Sequence, residues 1–144
     1  MNIQINEELE NEYFKTNNKL IELFKQKEKM KNNISDIVTL LDYNDHLSEI
    51  EHQIVKAEYQ ARELHVHYRN EALRLFSKSM ILAEKEKRQS TYAKNQANID
   101  SQQANTLTDL WEIRFKKMRD TRDSIRNEIF SKHSRYKYMM MEKE

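Results

Sequence analysis

The sequence predicts an all-α fold of long antiparallel coiled-coil helices, arranged as a helical hairpin or an elongated three-helix bundle. Three observations carry this expectation. The 144 residues include no glycine, no proline and no cysteine, so the residues that most often build tight turns and chain breaks are absent. Hydrophobic residues make up 38% of the chain and charged residues 34%, a balance that suits narrow apolar seams between wide solvated faces. Apolar residues also recur at alternating steps of four and three, the spacing of a coiled-coil seam.

The first seam runs Leu9, Tyr13, Thr16, Leu20, Leu23, Lys27, Met30, Ile34, Ile37 and Leu41, with only Thr16 and Lys27 polar. It predicts a helix over 6–42. Asp42-Tyr43-Asn44-Asp45 is the best break, because Asn and Asp take turn geometry more readily than other non-glycine residues; the alternative is one unbroken helix through it. A second helix follows over 46–92, on the seam Leu47, Ile50, Ile54, Ala57, Ala61, Leu64 and Tyr68. Past Tyr68 the apolar arc widens, consistent with a stutter or with contact from two sides. The stretch 93–101 lacks large apolar residues apart from Ile99 and reads either as an exposed helix or as a second connection. Asp100-Ser101 then offers a cap for a last helix over 102–140. Its seam is Ala104, Leu107, Trp111, Arg114, Met118, Thr121, Ile125 and Glu128. No linker or long-period repeat divides the chain, so residues 1–144 are expected to form one elongated domain.

Composition also narrows the chemistry. Phosphate-cradling loops, dinucleotide fingerprints and nucleophile elbows need glycine, while disulfides and thiolate chemistry need cysteine. His65 and His67 are two residues apart and point to different sides of a helix, so no metal or cofactor is expected there. Paired-carboxylate catalysis needs a water-excluding cleft that solvated rods do not offer, and no enzymatic activity is expected. There is no apolar run long enough to span a membrane, and the polar start Met1-Asn2-Ile3-Gln4 is no secretory signal, which together predict a cytoplasmic protein.

Charge is graded along the chain beneath a net of +1. Up to Gln60 seven Lys face twelve acids; from Ala61 onward eighteen basic residues face twelve acids. The halves should attract each other. Between Arg114 and Lys137 nine basic residues accompany three acids. Arg114, Lys117, Arg119, Arg122 and Arg126, with the single tryptophan Trp111 and the interleaved Tyr136 and Tyr138, form the candidate partner-binding set. The run can face an acidic protein partner or the acidic N-terminal helix of the same chain, or it can track the phosphates of a nucleic acid. A near-neutral chain makes nucleic acid the second choice. Trp111 lies on the seam and is expected to fill the core rather than anchor an interface.

In length, absence of glycine and proline, and dense Glu/Lys/Arg/Gln heptads, the chain resembles the small coiled-coil stalk proteins of flagellar and virulence type III secretion, the FliJ and YscO family. The resemblance implies a long antiparallel helical hairpin that inserts into an ATPase ring and contacts export chaperones. It carries over no site residue, and a corner at Asp42 to Asp45 falls earlier than a symmetric hairpin requires. The resulting expectation is a non-enzymatic stalk, adaptor or export chaperone that binds a protein partner, or itself, through its seams. The alternative is a nucleic-acid-associated helical protein using the basic C-terminal helix.

Overall fold

A computed structural model describes residues 2–142, which form three helices: α1 (Glu7–Lys31), α2 (Ile37–Lys85) and α3 (Ser90–Glu142). At 1.5 Å rise per residue, the 49 residues of α2 and the 53 of α3 make rods of about 74 and 80 Å. They pair antiparallel along the length of α2. The shorter α1, of 25 residues, lies antiparallel on the half of α2 remote from the α2–α3 turn. The fold is therefore a long hairpin thickened to three helices over one half.

Local chemistry explains where the helices begin. Asn6 accepts a hydrogen bond from the Leu9 amide at 3.2 Å, and Glu7, Glu8 and Glu10 fill the first turn of α1, where the helix dipole favours carboxylates. Asp36 caps α2 reciprocally. Its carboxylate accepts from the Thr39 amide at 2.8 Å, while the Asp36 amide donates to the Thr39 hydroxyl at 3.1 Å.

The first corner consequently spans 32–36 and not Asp42 to Asp45, and α2 runs through the latter without interruption. Burial decides between the two. Tyr43 is fully buried between Leu40 and Leu47, at steps of three and four, and holding that row in one helix outweighs the few tenths of a kcal/mol that Asn44 and Asp45 cost in it. The seam also changes phase after the corner. Leu40 is fully buried, and Leu41, expected on the seam, is 40% exposed.

The second connection is the short turn 86–89, and 93–101 lies within α3. The stretch has few large side chains because the two backbones pack closely there. Ala93, Ala97, Ser101 and Ala104 are buried against α2, whose facing row includes Ala72, Leu75, Ser79 and Ala83. Asp100-Ser101 is no cap: Asp100 accepts from the Ser79 hydroxyl at 2.8 Å, and the Ser101 hydroxyl donates to the Ala97 carbonyl at 2.8 Å. In the turn itself the Arg88 amide donates to Ala83 O and the Lys87 amide to Glu84 O, both at 3.0 Å, which is the bonding of a Schellman cap. The left-handed residue of that cap is Lys87, with φ of 55°.

The core has a large cluster shared by all three helices and a small one of Ala72, Leu75 and Ala104, with Ile3 packed against both. All seven expected positions from Leu47 to Tyr68 are fully buried, as is Leu75. Tyr13, Thr16, Leu20 and Leu23 of α1 close one side of it, and Trp111, Met118 and Ile125 of α3 close the other.

Lysine at a left-handed position carries a steric penalty of about 1 kcal/mol that glycine does not. Lys87→Gly should therefore stabilise the chain by about that amount, read as a raised midpoint in thermal or urea unfolding. An unchanged or lowered midpoint would show that Lys87 holds the turn by other means.

Candidate protein-binding surface

The basic stretch of α3 divides into residues engaged within the chain and residues turned to solvent. Trp111 is 1% exposed and belongs to the core, with its ring edge-on to Tyr13 at 4.9 Å. The seam reading of this tryptophan is correct, and it is not a free interface anchor. Arg114 is half-buried, its guanidinium 4.4 Å from the Trp111 ring and 5.3 Å from the Phe14 ring. Arg122 pairs with Glu58, whose side chain is 5% exposed, and Arg126 pairs with Glu51 at 2.7 Å.

These pairings place the acidic partner of the basic run in α2 rather than in the N-terminal helix. Opposite charges from the two halves of the chain do meet, but across the α2–α3 seam. The ion pair between α1 and α3 has the reverse polarity: Lys27 of α1 reaches Glu128 of α3 at 3.0 Å. Arg122 and Arg126 thus spend charge on α2 within the chain, although Arg126 remains exposed.

Other members stay outward. Among the described residues Arg119 is paired only with its neighbour Asp120, at 3.6 Å. Lys117 is exposed and makes no ion pair with a described residue. Tyr136 stacks on His133 with ring centroids 6.4 Å apart, and Tyr138 is 64% exposed on the last turns of α3. Phe130 and Met141 are exposed on the same part of the helix.

Several functional-looking groups that the sequence did not single out tie the helices together. Glu128 accepts hydrogen bonds from both the Tyr43 hydroxyl and Lys27, so one carboxylate joins all three helices. Burial pushes this carboxyl up, but the hydrogen bonds from Tyr43 and Lys27 and the charges of Lys27 and Lys31 outweigh it and hold it below its ordinary 4.5. The Tyr43 hydroxyl is pushed well above its usual range by burial and by the same carboxylate. Tyr68, hydrogen-bonded to Glu10, is raised for the same reasons.

Three of the five histidines have packing roles. His46 Nε2 donates to Leu23 O at 2.7 Å, His65 Nδ1 to Thr108 O at 3.0 Å and His67 Nε2 to Gln4 O at 2.6 Å. Each ring fastens α2 to a backbone carbonyl of a neighbouring segment. No group of three or more metal-ligating side chains comes together among the described residues. Nor is any described helix long and apolar enough to cross a membrane. In comparisons with known proteins, the chain matches no family model, no curated protein and no solved structure.

Two outcomes follow from the pairing scheme. Arg122→Met should cost about 2 kcal/mol in unfolding experiments, less than the roughly 3–5 of a fully severed buried pair, because Arg62 still reaches Glu58 at 3.4 Å. Arg119→Met, which removes an exposed neighbour contact, should leave the midpoint within experimental error. Equal effects would contradict the division of the basic run.

The second outcome concerns acid. With the folded-state value of Glu128 depressed, the folded chain binds fewer protons than the unfolded one just below pH 4.5, so stability present above that value is lost as pH falls through the folded value. Between about pH 5 and pH 3 the melting temperature should fall more steeply for the native chain than for Glu128→Gln. Parallel slopes would show that Glu128 carries no linkage.

Proposed function

We propose that this chain is a non-enzymatic helical interaction protein, a stalk, adaptor or export chaperone that works in the cytoplasm as part of a type III secretion or flagellar export apparatus. The observation that carries the reading is a rod whose own core is filled while large apolar side chains remain outside it. Ile113 is 66% exposed, Phe130 74% and Met141 71%, and all three share α3 with Lys117, which has no ion pair among the described residues. Burying such residues against a partner is the main source of free energy for association, and neighbouring charges select the partner. The type III secretion setting rests on the resemblance in format to the coiled-coil stalk family. The antiparallel α2–α3 hairpin is the architecture that resemblance implies.

Nucleic acid is less well served by the same surface. Arg122 and Arg126 are neutralised by Glu58 and Glu51, which leaves fewer cations for phosphate than the sequence suggests.

Affinity capture of the tagged chain from its native cell, read by quantitative mass spectrometry, tests the proposal. Enrichment of the export ATPase or an export chaperone is the expected result. Recovery of no secretion component, or capture dominated by nucleic acid with steep salt dependence, would overturn it.

A further inference from the structure

A concavity of about 460 Å³ lies between α1 and α2. It interrupts the apolar contact that Tyr13, Leu20 and Leu23 make with the core of α2. Its rim carries Glu12, Lys15 and Lys19 of α1 and Lys56 of α2, all exposed. Its floor is polar: Thr16 is 5% exposed, Gln53 9% and Gln60 5%. The Thr16 hydroxyl donates to Glu12 O at 3.0 Å. Neither glutamine side chain hydrogen-bonds to a described residue, and Gln60 Oε1 is buried without a partner. An unpaired buried amide costs free energy that an apolar side chain in the same place does not. Two of them, seven residues apart on the floor of one concavity, point to a ligand rather than to packing.

The charges of the rim are unspent as well. Glu12, Lys15 and Lys56 make no ion pair with any described residue although they line the same concavity. Lys19 reaches Glu49 only at 3.9 Å, with both side chains about half exposed. The antiparallel course of the helices puts Glu12 and Gln60 at one end, Lys19 and Gln53 at the other, and Lys15 and Lys56 between them. One turn beyond the concavity both helices carry acids, Glu8 and Glu22 on α1 and Glu49 and Glu63 on α2. The lysines therefore form an island of positive charge, too short to follow an extended polyanion. Within that island acceptors cluster at one end, and ammonium donors fill the rest.

We infer that the α1–α2 concavity is a binding site for a small zwitterion, a molecule with an ammonium group at one end and a carboxylate at the other. The ammonium donates to the Glu12 carboxylate and to Gln60 Oε1, which rotation of the terminal amide turns into the concavity. The carboxylate lies among Lys15, Lys56 and Lys19, with the Gln53 amide as a further donor. At 1.5 Å per residue, the step from Glu12 to Lys15 and Lys19 is about 5 to 10 Å, which sets the separation of the ligand's two charges. An α-amino acid is too short for it, and an ω-amino acid or a dipeptide fits. Because such a ligand touches both helices, its binding also clamps α1 onto α2. The site lies away from the exposed apolar residues of α3 and stands independently of the proposed partner contact.

The test titrates the full chain with 6-aminohexanoate, hexanoate and hexylamine, read through the side-chain amide resonances of Gln53 and Gln60. 6-Aminohexanoate should shift both amides saturably, and the two probes that lack one charge should each bind about tenfold more weakly or worse. Lys56→Met and Glu12→Gln alter exposed positions and keep the fold, so each should weaken 6-aminohexanoate about tenfold with an unchanged melting curve, whereas Lys94→Met on the distal half of the hairpin should have no effect. Gln60→Leu should abolish saturable binding. Glycylglycine carries the same two charges on a peptide: tighter binding of it identifies the ligand as a short peptide, tighter binding of 6-aminohexanoate identifies an ω-amino acid, and either supports the site. No saturation by about 10 mM, or binding indifferent to Lys56→Met and Glu12→Gln, would overturn it. Hexanoate binding as tightly as 6-aminohexanoate would reduce the concavity to a plain anion site and overturn the inference, and equal binding of hexylamine would do so from the other side.

Discussion

Burial of α2 on two sides is the constraint on which the rest of the structure depends. One helix presents a row from Leu40 through Tyr43, Leu47, Ile50, Ile54, Ala57, Ala61, Leu64 and Tyr68 to Leu75 with no exposed surface. An isolated pair of helices would cover only one side of such a row, so α1 is needed wherever the row is broad. Beyond the start of α1, the α2 and α3 side chains become small and the remaining pair closes on alanine and serine. The extended segment before α1 marks the change of regime, with Ile3 packed on Ala72, Leu75 and Ala104.

Polar groups then set the register that apolar burial alone leaves loose. The side chains that cross from α2 are long and directional: Tyr43 and Tyr68 to carboxylates, His46, His65 and His67 to carbonyls, Glu51 and Glu58 to arginines. A coiled coil can slide by a heptad and still bury leucines, but a slide here would leave Glu58 buried without Arg122 and Glu128 without Tyr43. These contacts act mainly against wrong alignments. Where the two halves meet, two of the acids of the first half, Glu58 and Glu51, pair with two of the bases of the second, Arg122 and Arg126.

That pairing shapes the outer surface. With Arg122 and Arg126 paired to α2, the free cations of α3 are fewer and are set among exposed apolar residues. This is the character of a protein contact surface more than of a phosphate track. Arg114 differs from both groups, since its partners are rings and its hydrogen-bonding capacity is unspent.

The sequence by itself determined the helical class, the seams of α2 and α3, and the core position of Trp111, because period and composition are local properties that hold in any packing arrangement. It also showed that the two halves would attract. It did not determine which turn-prone segment turns. Asp42 to Asp45 and Asn32 to Asp36 have similar local chemistry, and burial of Tyr43 between two other helices chose between them. The stretch 93–101 was illegible for a related reason, since small residues signal a loop until a second backbone is known to lie against them. The fate of the arginines was equally hidden. Arg122 and Arg126 are four residues apart and their partners Glu58 and Glu51 seven, so the pairing becomes visible only when the antiparallel register of α2 and α3 is fixed. Tertiary structure decided that register, because it depends on side chains more than sixty residues apart meeting in space.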